Sequence, residues 1–109
     1  MITPNYIEMA APDLAASRSF YEDALGFEFT DYGDAYAATE GGPVVIGLAA
    51  GRDPEVPLPT FETDDLEHAQ AAVVAAGGRI TREPFAYPGG RRFQFFDPGD
   101  NEIAIYQEG

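Results

Sequence analysis

Two pairs of polar side chains fall at alternate positions of short extended segments. Tyr6 and Glu8 are two residues apart in "NYIEMA", and Thr60 and Glu62 are two apart in "LPTFE". Side chains alternate along a strand, so each pair projects from one face of a sheet. A carboxylate in a cavity would hold a cation, or act as a base if desolvation raised its pKa. A solvated rim position is the favoured alternative for Glu8.

The same alternation lets Glu8 and Glu62 approach each other as a pair of carboxylates, the arrangement used in general acid and base chemistry. The alternative is that these charges serve only to protect sheet edges from aggregation, and this alternative is favoured. The pair is therefore a hypothesis and not an assigned catalytic site.

A third group of polar residues lies in the segment "RRFQFF" and in the last strand. Arg92 and Gln94 either reach a cavity, where they would recognise an anionic or carbonyl group, or are solvated at an edge. Tyr6 and Tyr106 offer flat surfaces for stacking, although tyrosine is also a common residue of ordinary strands. The sequence leaves both alternatives open.

Other residues that could do chemistry are set aside. His68 is the only histidine, and its helical position predicts a side chain directed to solvent, so a catalytic role is not expected. One lone histidine gives no basis for a Ser-His-Asp arrangement. Gly89-Gly90 precedes a strand and not a helix, so it is not a phosphate loop. Cysteine is absent, which excludes disulfides and thiolate ligands. We therefore predict no catalytic residue.

Composition limits the partners and the location. The 109 residues carry 19 acidic and 6 basic side chains, with a formal net charge of −13. Such a surface repels phosphate backbones and anionic lipid, so neither nucleic acid nor a membrane is an expected partner. It would concentrate a cationic small molecule, although solubility is its commoner purpose. With no signal peptide and no apolar run of membrane length, we predict a cytoplasmic protein.

The elements that carry these residues repeat within the chain. Amphipathic helices are predicted from Asp13 to Gly26 and from Asp65 to Gly78, each with an aspartate N-cap and a glycine stop, 52 residues apart. One strand precedes each helix and three follow it, which is βαβββ written twice. The predicted strands are Ile2 to Ala10, Phe27 to Tyr32, Ala35 to Thr39, Val44 to Ala49, Leu58 to Thr63, Arg79 to Arg82, Arg92 to Phe96 and Glu102 to Gln107.

The predicted fold class is α+β, with the two modules forming a curved mixed sheet that has its helices on one side. The chain is expected to be a single domain, with module 1 at about 1–50, a linker at about 51–57 and module 2 at about 58–109. Ile103 and Ile105 should pack on a helix, which leaves Ala104 and Tyr106 on the opposite face. That free face is where a ligand is expected.

The stretches "DLAASRSFYEDALGFEF", "AAGGRI" and "FFDPGDNEIAIYQ" resemble the vicinal oxygen chelate superfamily, which includes glyoxalase I, extradiol dioxygenases and bleomycin-resistance binding proteins. The resemblance covers nearly the whole chain and implies paired βαβββ modules. It also implies that metal-using members place His, Gln or Glu ligands on four strands. The corresponding positions in this sequence are Tyr6, Gly47, Leu58 and Ala104.

These four positions are poor places for a metal. Leucine, glycine and alanine side chains have no lone pair, and a phenol is a reluctant ligand at neutral pH. We therefore expect no metal and no cofactor, and a pocket in place of a metal centre. The expected ligand-binding residues are Tyr6, Glu8, Gly47, Leu58, Thr60, Glu62, Arg92, Gln94, Ala104 and Tyr106.

The resemblance then implies a metal-independent binding protein that sequesters a small, partly aromatic or cationic compound, and it implies a homodimer. One alternative is a glyoxalase-like lyase, isomerase or dioxygenase with a displaced metal site built from Glu8, Glu62 or Glu102. Another is an interaction module with a filled cavity, which would bind no small molecule.

Overall fold

Residues 2–52 and 56–109 are described by a computed structural model, in which the chain forms two compact units. The N-terminal unit comprises Tyr6–Pro57, and the C-terminal unit comprises Leu58–Gly109 together with the residues up to Asn5. Positions 53–55 of the predicted linker lie outside the described residues. Neither helix in the described residues has the length and apolar composition of a membrane span.

The N-terminal unit is built from one helix and a mixed sheet. The strand order is β2-β3-β4-β1, in which β1 and β4 are parallel and the other neighbours are antiparallel. The residues of β1 from Tyr6 onward belong to this unit. Its elements are β1 (Thr3–Ala10), α1 (Leu14–Leu25), β2 (Phe29–Asp31), β3 (Tyr36–Thr39) and β4 (Val45–Ala49).

The C-terminal unit repeats this arrangement. Its strand order is β5-β8-β7-β6, and β5 and β8 form the parallel pair. The predicted α+β class and the two βαβββ modules are confirmed. The elements are β5 (Leu58–Glu62), α2 (Leu66–Ala75), β6 (Arg79–Tyr87), β7 (Gly90–Phe96) and β8 (Glu102–Glu108).

Both helices begin at the predicted aspartates. The Asp13 carboxylate accepts a hydrogen bond from the Ala16 backbone N–H at 3.1 Å, and Asp65 accepts one from the His68 N–H at 3.0 Å. Each bond satisfies an N–H that the first helical turn leaves without an intrahelical partner. The first helix ends at Gly26 with φ of 73°, and Gly77 after the second helix has φ of 98°. Glycine adopts this left-handed conformation without steric cost.

Each sheet packs one face against its helix. In the C-terminal unit Phe93 and Leu66 are completely buried, and each contributes roughly 1.5–3 kcal/mol of hydrophobic free energy. Ile103 and Ile105 belong to the same core, as predicted, so the side chains of Ala104 and Tyr106 project from the opposite face. The core of the N-terminal unit contains Ala11, Phe29, Ala37 and Leu48, with Met9, Leu14, Tyr21, Phe27 and Ile46 packed against it.

The strand β6 is longer than the sequence predicted, because it continues to Tyr87 where the prediction ended at Arg82. Register shifts between Ile80 and Arg82 and between Arg82 and Phe85 interrupt its pairing with β7. Pro84 lies in the second interruption, at the edge of the sheet, where a residue without an N–H breaks no ladder bond. The extension is a β-bulged strand that simple alternation does not reveal.

The parallel strands of the two units also pair at equivalent residues. In the N-terminal unit Glu8 pairs with Gly47 across β1 and β4, and in the C-terminal unit Thr60 pairs with Ala104 across β5 and β8. Glu8 and Thr60 are separated by the same 52 residues that separate the two helix caps. The positions that the resemblance singles out are therefore equivalent in the two units.

Candidate functional site

In the N-terminal unit the face opposite α1 carries a polar group built from three strands. Tyr6 and Glu8 project together from β1, and Gly47 lies beside Glu8 on β4. Tyr36 comes from β3, whose register with β4 places it opposite Ala49. Glu8 is buried, with 6% of its surface exposed, and the two tyrosines are half-buried.

The two tyrosines meet hydroxyl to hydroxyl. The Oη atoms of Tyr6 and Tyr36 lie 2.5 Å apart, which is a short hydrogen bond for two neutral phenols. They meet over the α-carbon of Gly47. A β-carbon at that position would lie 2.1 Å from Tyr36 Oη and 2.6 Å from Tyr6 Oη, which is inside contact distance for both. The two hydroxyls can therefore form this hydrogen bond only because residue 47 is glycine.

The Glu8 carboxylate contacts both the tyrosine pair and the Arg52 guanidinium. The Tyr36 hydroxyl donates a long hydrogen bond of 3.4 Å to Glu8 Oε1, and Arg52 Nη1 lies 3.8 Å from Glu8 Oε2. Arg52 also donates from Nη2 to the Val56 carbonyl at 3.1 Å, while its Nε is buried and makes no hydrogen bond within the described part of the chain. Tyr6, Glu8 and Gly47 are among the predicted ligand-binding residues, whereas Tyr36 and Arg52 are not.

In the C-terminal unit the corresponding face is more fully buried. Leu58 and Ala104 are completely buried, Thr60 is 4% exposed and Gln94 is 5% exposed. The Thr60 hydroxyl donates to the Leu58 carbonyl at 3.1 Å, and Gln94 Nε2 donates to Glu102 Oε2 at 3.0 Å. Of the two alternatives for Gln94, solvation at an edge is wrong, because β7 lies between β6 and β8.

Tyr106 and Glu62 are joined through Asn5. The Tyr106 hydroxyl donates to Asn5 Oδ1 at 3.0 Å, and Asn5 Nδ2 donates to Glu62 Oε1 at 3.0 Å. Burial raises the pKa of Tyr106 to about 12, with further increases from Glu62 and Glu108, although the hydrogen bond to Asn5 opposes the shift. Glu62 also lines a depression of about 280 Å³, together with Thr3, Thr63 and Asp64.

Arg92 takes part in a stack of cations and aromatic rings on the same face. The Arg92 guanidinium carbon lies 5.4 Å from the centre of the Phe85 ring and 6.0 Å from that of Tyr87, and the Arg82 carbon lies 3.9 Å from the Phe85 centre. These distances are typical of cation–π contacts. The bulge after Arg82 brings Arg82 and Phe85 to one face although they are an odd number of residues apart.

Arg91 and Glu102 form ion pairs or hydrogen bonds with neighbouring side chains. Arg91 forms an ion pair with Glu67 at 2.8 Å, which lowers the pKa of Glu67. Glu102 accepts hydrogen bonds from Thr81 at 2.8 Å and from Gln94. His68 is exposed on α2, as predicted. Glu8 and Glu62 belong to different units, and each has partners within its own unit.

A family model described as the Glyoxalase/Bleomycin resistance protein/Dioxygenase superfamily matches residues 3–105. The chain belongs to this superfamily. The match includes both βαβββ units, so it confirms the relationship that the sequence motifs indicated.

Three similar proteins illustrate the superfamily. An uncharacterized protein of Mycolicibacterium smegmatis is 31% identical over 92% of this chain and 89% of its own length. The anthracycline biosynthesis protein DnrV of Streptomyces peucetius is 27% identical over 97% of this chain, which spans about half (47%) of that relative's length. The crystal structure of methylmalonyl-CoA epimerase from Mycobacterium tuberculosis, at 16% identity, has a TM-score of 0.80 over 98% of this chain and 88% of that one, which shows the shared fold.

Metal-using members of the superfamily raise the question of whether this chain can hold a divalent ion. Leu58 and Ala104 contribute completely buried hydrocarbon side chains, which offer no lone pair. The space of a side chain at Gly47 is taken by the two tyrosine hydroxyls. Within residues 2–52 and 56–109, no three His, Asp or Glu side chains come together as a metal-binding group. The residues at these four positions do not fit a metal centre.

Proposed function

We propose that the protein is a metal-independent binding protein for a small, partly aromatic or cationic molecule, which it sequesters without breaking a bond. The observation that carries the proposal is the replacement of the superfamily's ligand positions by Tyr6, Gly47, Leu58 and Ala104. A Lewis acid needs electron-pair donors, and these side chains supply at most one phenol. In place of a metal centre, the two units present aromatic rings and hydrogen-bonding groups.

An aromatic ligand is supported by two observations. The half-buried rings of Tyr6 and Tyr36, and the neighbouring Phe85 and Tyr87 rings, which are tilted by 59° to each other, provide flat surfaces on which a ligand ring could stack. Such stacking adds roughly 0.5–1.5 kcal/mol beyond the burial of area. The relative named for anthracycline biosynthesis also favours this class, since anthracyclines are flat polycyclic aromatic compounds.

A positive charge on the ligand is supported by electrostatics. The net charge of −13 attracts a cation at long range. At short range, Glu62 is held by Asn5 beside the depression that also includes Asp64. Anthracyclines carry an amino sugar, so the two supported features, a flat ring system and a cation, occur together in that class.

A paired measurement tests the proposal. Daunorubicin is the cationic aromatic probe, and anthraquinone-2-sulfonate is a flat probe of opposite charge. We expect daunorubicin to raise the melting temperature and to show saturable fluorescence quenching, with weaker binding of the sulfonate that approaches that of daunorubicin at high salt. If neither probe nor any member of a broader panel of aromatic compounds raises the melting temperature, the interaction-module hypothesis replaces this one.

Metal analysis separates binding from metal-dependent catalysis. We expect the purified protein to contain no stoichiometric divalent ion, and expect Ni²⁺, Zn²⁺, Mn²⁺ and Fe²⁺ to leave its melting temperature unchanged. A bound ion that is lost in Glu8→Gln together with an enzymatic activity would establish the displaced metal site in place of this proposal. The homodimer implied by the resemblance stays a prediction, which light scattering on the purified protein checks.

A further inference from the structure

We infer that Asn5 is a positioning residue that holds Glu62 as the acceptor for a positively charged nitrogen of the ligand. The inference rests on the proposed function and deepens it, because it assigns recognition of the cationic group to one carboxylate and one depression of the C-terminal unit. It is carried by the hydrogen bonds of Asn5 and by the place of Glu62 in the lining of that depression.

A neutral amide holds the Glu62 carboxylate. Asn5 Nδ2 donates to Glu62 Oε1 at 3.0 Å, and no other hydrogen bond or ion pair joins Glu62 to the described residues. In the same unit Glu67 pairs with the Arg91 guanidinium at 2.8 Å, so a cation of the chain balances its charge. An amide orients a carboxylate without supplying a positive charge. Glu62 Oε2 is therefore the oxygen left to accept a hydrogen bond from a cationic ligand.

Tyr106 determines which way the Asn5 amide faces. The Tyr106 hydroxyl donates to Asn5 Oδ1 at 3.0 Å, which leaves the amide nitrogen to donate to Glu62. The reversed amide would place an oxygen against the carboxylate and lose that bond. Burial raises the pKa of Tyr106 to about 12, so the hydroxyl keeps its hydrogen at neutral pH. Both hydrogen bonds thus favour the amide orientation that holds Glu62.

The lining of the depression matches a protonated amine. Thr63 is already used by the chain, because its hydroxyl accepts from the Asp65 N–H at 3.2 Å and donates to the Asp65 carbonyl at 3.4 Å. Thr3 and Glu62 contribute a hydroxyl and a carboxylate, and Asp64 contributes a second carboxylate. A primary ammonium group has three N–H donors and a positive charge, which complement oxygen acceptors of this kind.

A second depression, of about 290 Å³ in the N-terminal unit, is the weaker candidate for a cation. Its lining includes Glu28 and Glu40, which are both exposed. Glu62 is half-buried, and salt screens the charge of a partly buried group less. Glu40 nonetheless resembles Glu62 in being held by a neutral donor, the Tyr32 hydroxyl, at 3.1 Å. Glu40 is therefore the matched comparison for Glu62.

Two naphthalenes of nearly the same shape test the inference. The probes are 1-naphthylmethylamine, which is positively charged at neutral pH, and 1-naphthalenemethanol, which is neutral. Fluorescence titration should show that wild type binds the amine about tenfold more tightly, the value of one hydrogen bond to a charged group. Asn5→Leu should remove most of this preference. The substitution leaves the net charge at −13, so long-range attraction of the cation cannot account for the loss.

Three further variants locate the effect. Glu62→Gln should remove the preference, because it takes away the charge and keeps an oxygen that accepts from Asn5. Glu40→Gln makes the same change of charge in the other depression and should retain the preference. Gln70→Leu is the control for loss of an amide, since Gln70 Nε2 donates to Glu83 Oε1 at 3.0 Å on an exposed surface of the same unit as Asn5. It should also retain the preference.

A structural role of Asn5 gives a different result. Lost stability weakens the binding of both probes and leaves the ratio of their affinities unchanged, whereas lost positioning of Glu62 lowers that ratio. Circular dichroism and melting curves establish that each variant is folded. If Asn5→Leu does not fold, Asn5→Ala removes the same amide with a smaller side chain, and its ratio is used.

The outcomes separate the role of Asn5 from the function on which it rests. Equal binding of the two naphthalenes by wild type, or an unchanged preference in the Asn5 variant or in Glu62→Gln, overturns the inference and leaves a binding protein. A preference that is lost in Glu40→Gln also overturns it. If daunorubicin alone binds, it is titrated against the same variants, and equal affinities for wild type and the Asn5 variant have the same meaning. Failure of all three compounds removes the proposed function and the role of Asn5 together.

Discussion

The hydroxyl oxygens of Tyr6 and Tyr36 lie 2.5 Å apart because residue 47 has no side chain to separate them. This contact gives a physical reason for glycine at position 47, beyond the absence of a metal ligand there. Where a carboxylate ligand is expected from the superfamily, a glycine admits two phenols, and the buried Glu8 on the neighbouring strand accepts from one of them. On this face, hydrogen bonds among Tyr6, Tyr36 and Glu8 therefore lie where metal-using members of the superfamily have metal ligands.

Gly47→Ala is expected to destabilise the protein by about 1–3 kcal/mol, the usual cost of adding a methyl group to a filled site. The new β-carbon would require both tyrosines to move. Gly51→Ala is the matched control, since a β-carbon there meets nothing within 4 Å, and its effect should stay within about 0.5 kcal/mol. Urea unfolding curves of the three proteins provide the comparison. Equal stabilities for the two variants would contradict the packing described for Gly47.

Sequence patterns were sufficient for the order of the elements and for the two faces of the last strand. Equal spacing of the Asp13 and Asp65 caps predicts two equivalent modules, and alternation along β8 correctly separates Ile103 and Ile105 from Ala104 and Tyr106. These features depend on local periodicity, which the sequence displays directly.

Local periodicity does not identify the hydrogen-bond and ring-contact partners of the site residues. Tyr36 is 30 residues from Tyr6, and Asn5 is 101 residues from Tyr106, so both contacts depend on how strands pair and how side chains orient. The contact between Arg92 and Phe85 was missed for a different reason. The Pro88-Gly89 turn sets their pairing, but Pro84 and the bulge obscured the strand that carries Phe85.

Tyr106 should make the protein less stable as the pH rises above about 10. In the folded chain burial raises its pKa to about 12, whereas the unfolded chain has the ordinary value of about 10. Between these values the folded state keeps a proton that the unfolded state has lost, so the free energy of unfolding falls as pH increases. The stabilisation is complete below about pH 10 and is lost through about pH 12.

A comparison with Tyr106→Phe isolates this effect from the titration of other groups. Urea unfolding at about pH 9 and about pH 11.5 should show that wild type loses about 1–2 kcal/mol more than the variant between these conditions. Phenylalanine has no proton to lose, so the variant lacks this contribution. Equal losses in the two proteins would show that the hydroxyl of Tyr106 titrates normally in the folded state.

The cation–π stack on β6 and β7 should appear as a coupling between Arg82 and Phe85. The Arg82 guanidinium lies 3.9 Å from the Phe85 ring centre, and the exposed position of Arg82 predicts a coupling energy of about 0.5–1 kcal/mol. A double-mutant cycle with Arg82→Gln and Phe85→Leu measures it, because the cycle subtracts the loss of ring burial from the loss of the pair. The matched cycle uses Arg79 and Phe96, whose separation is 5.1 Å, and we expect a smaller coupling there. Coupling within error of zero for Arg82 and Phe85 would mean that the ring serves only as packing.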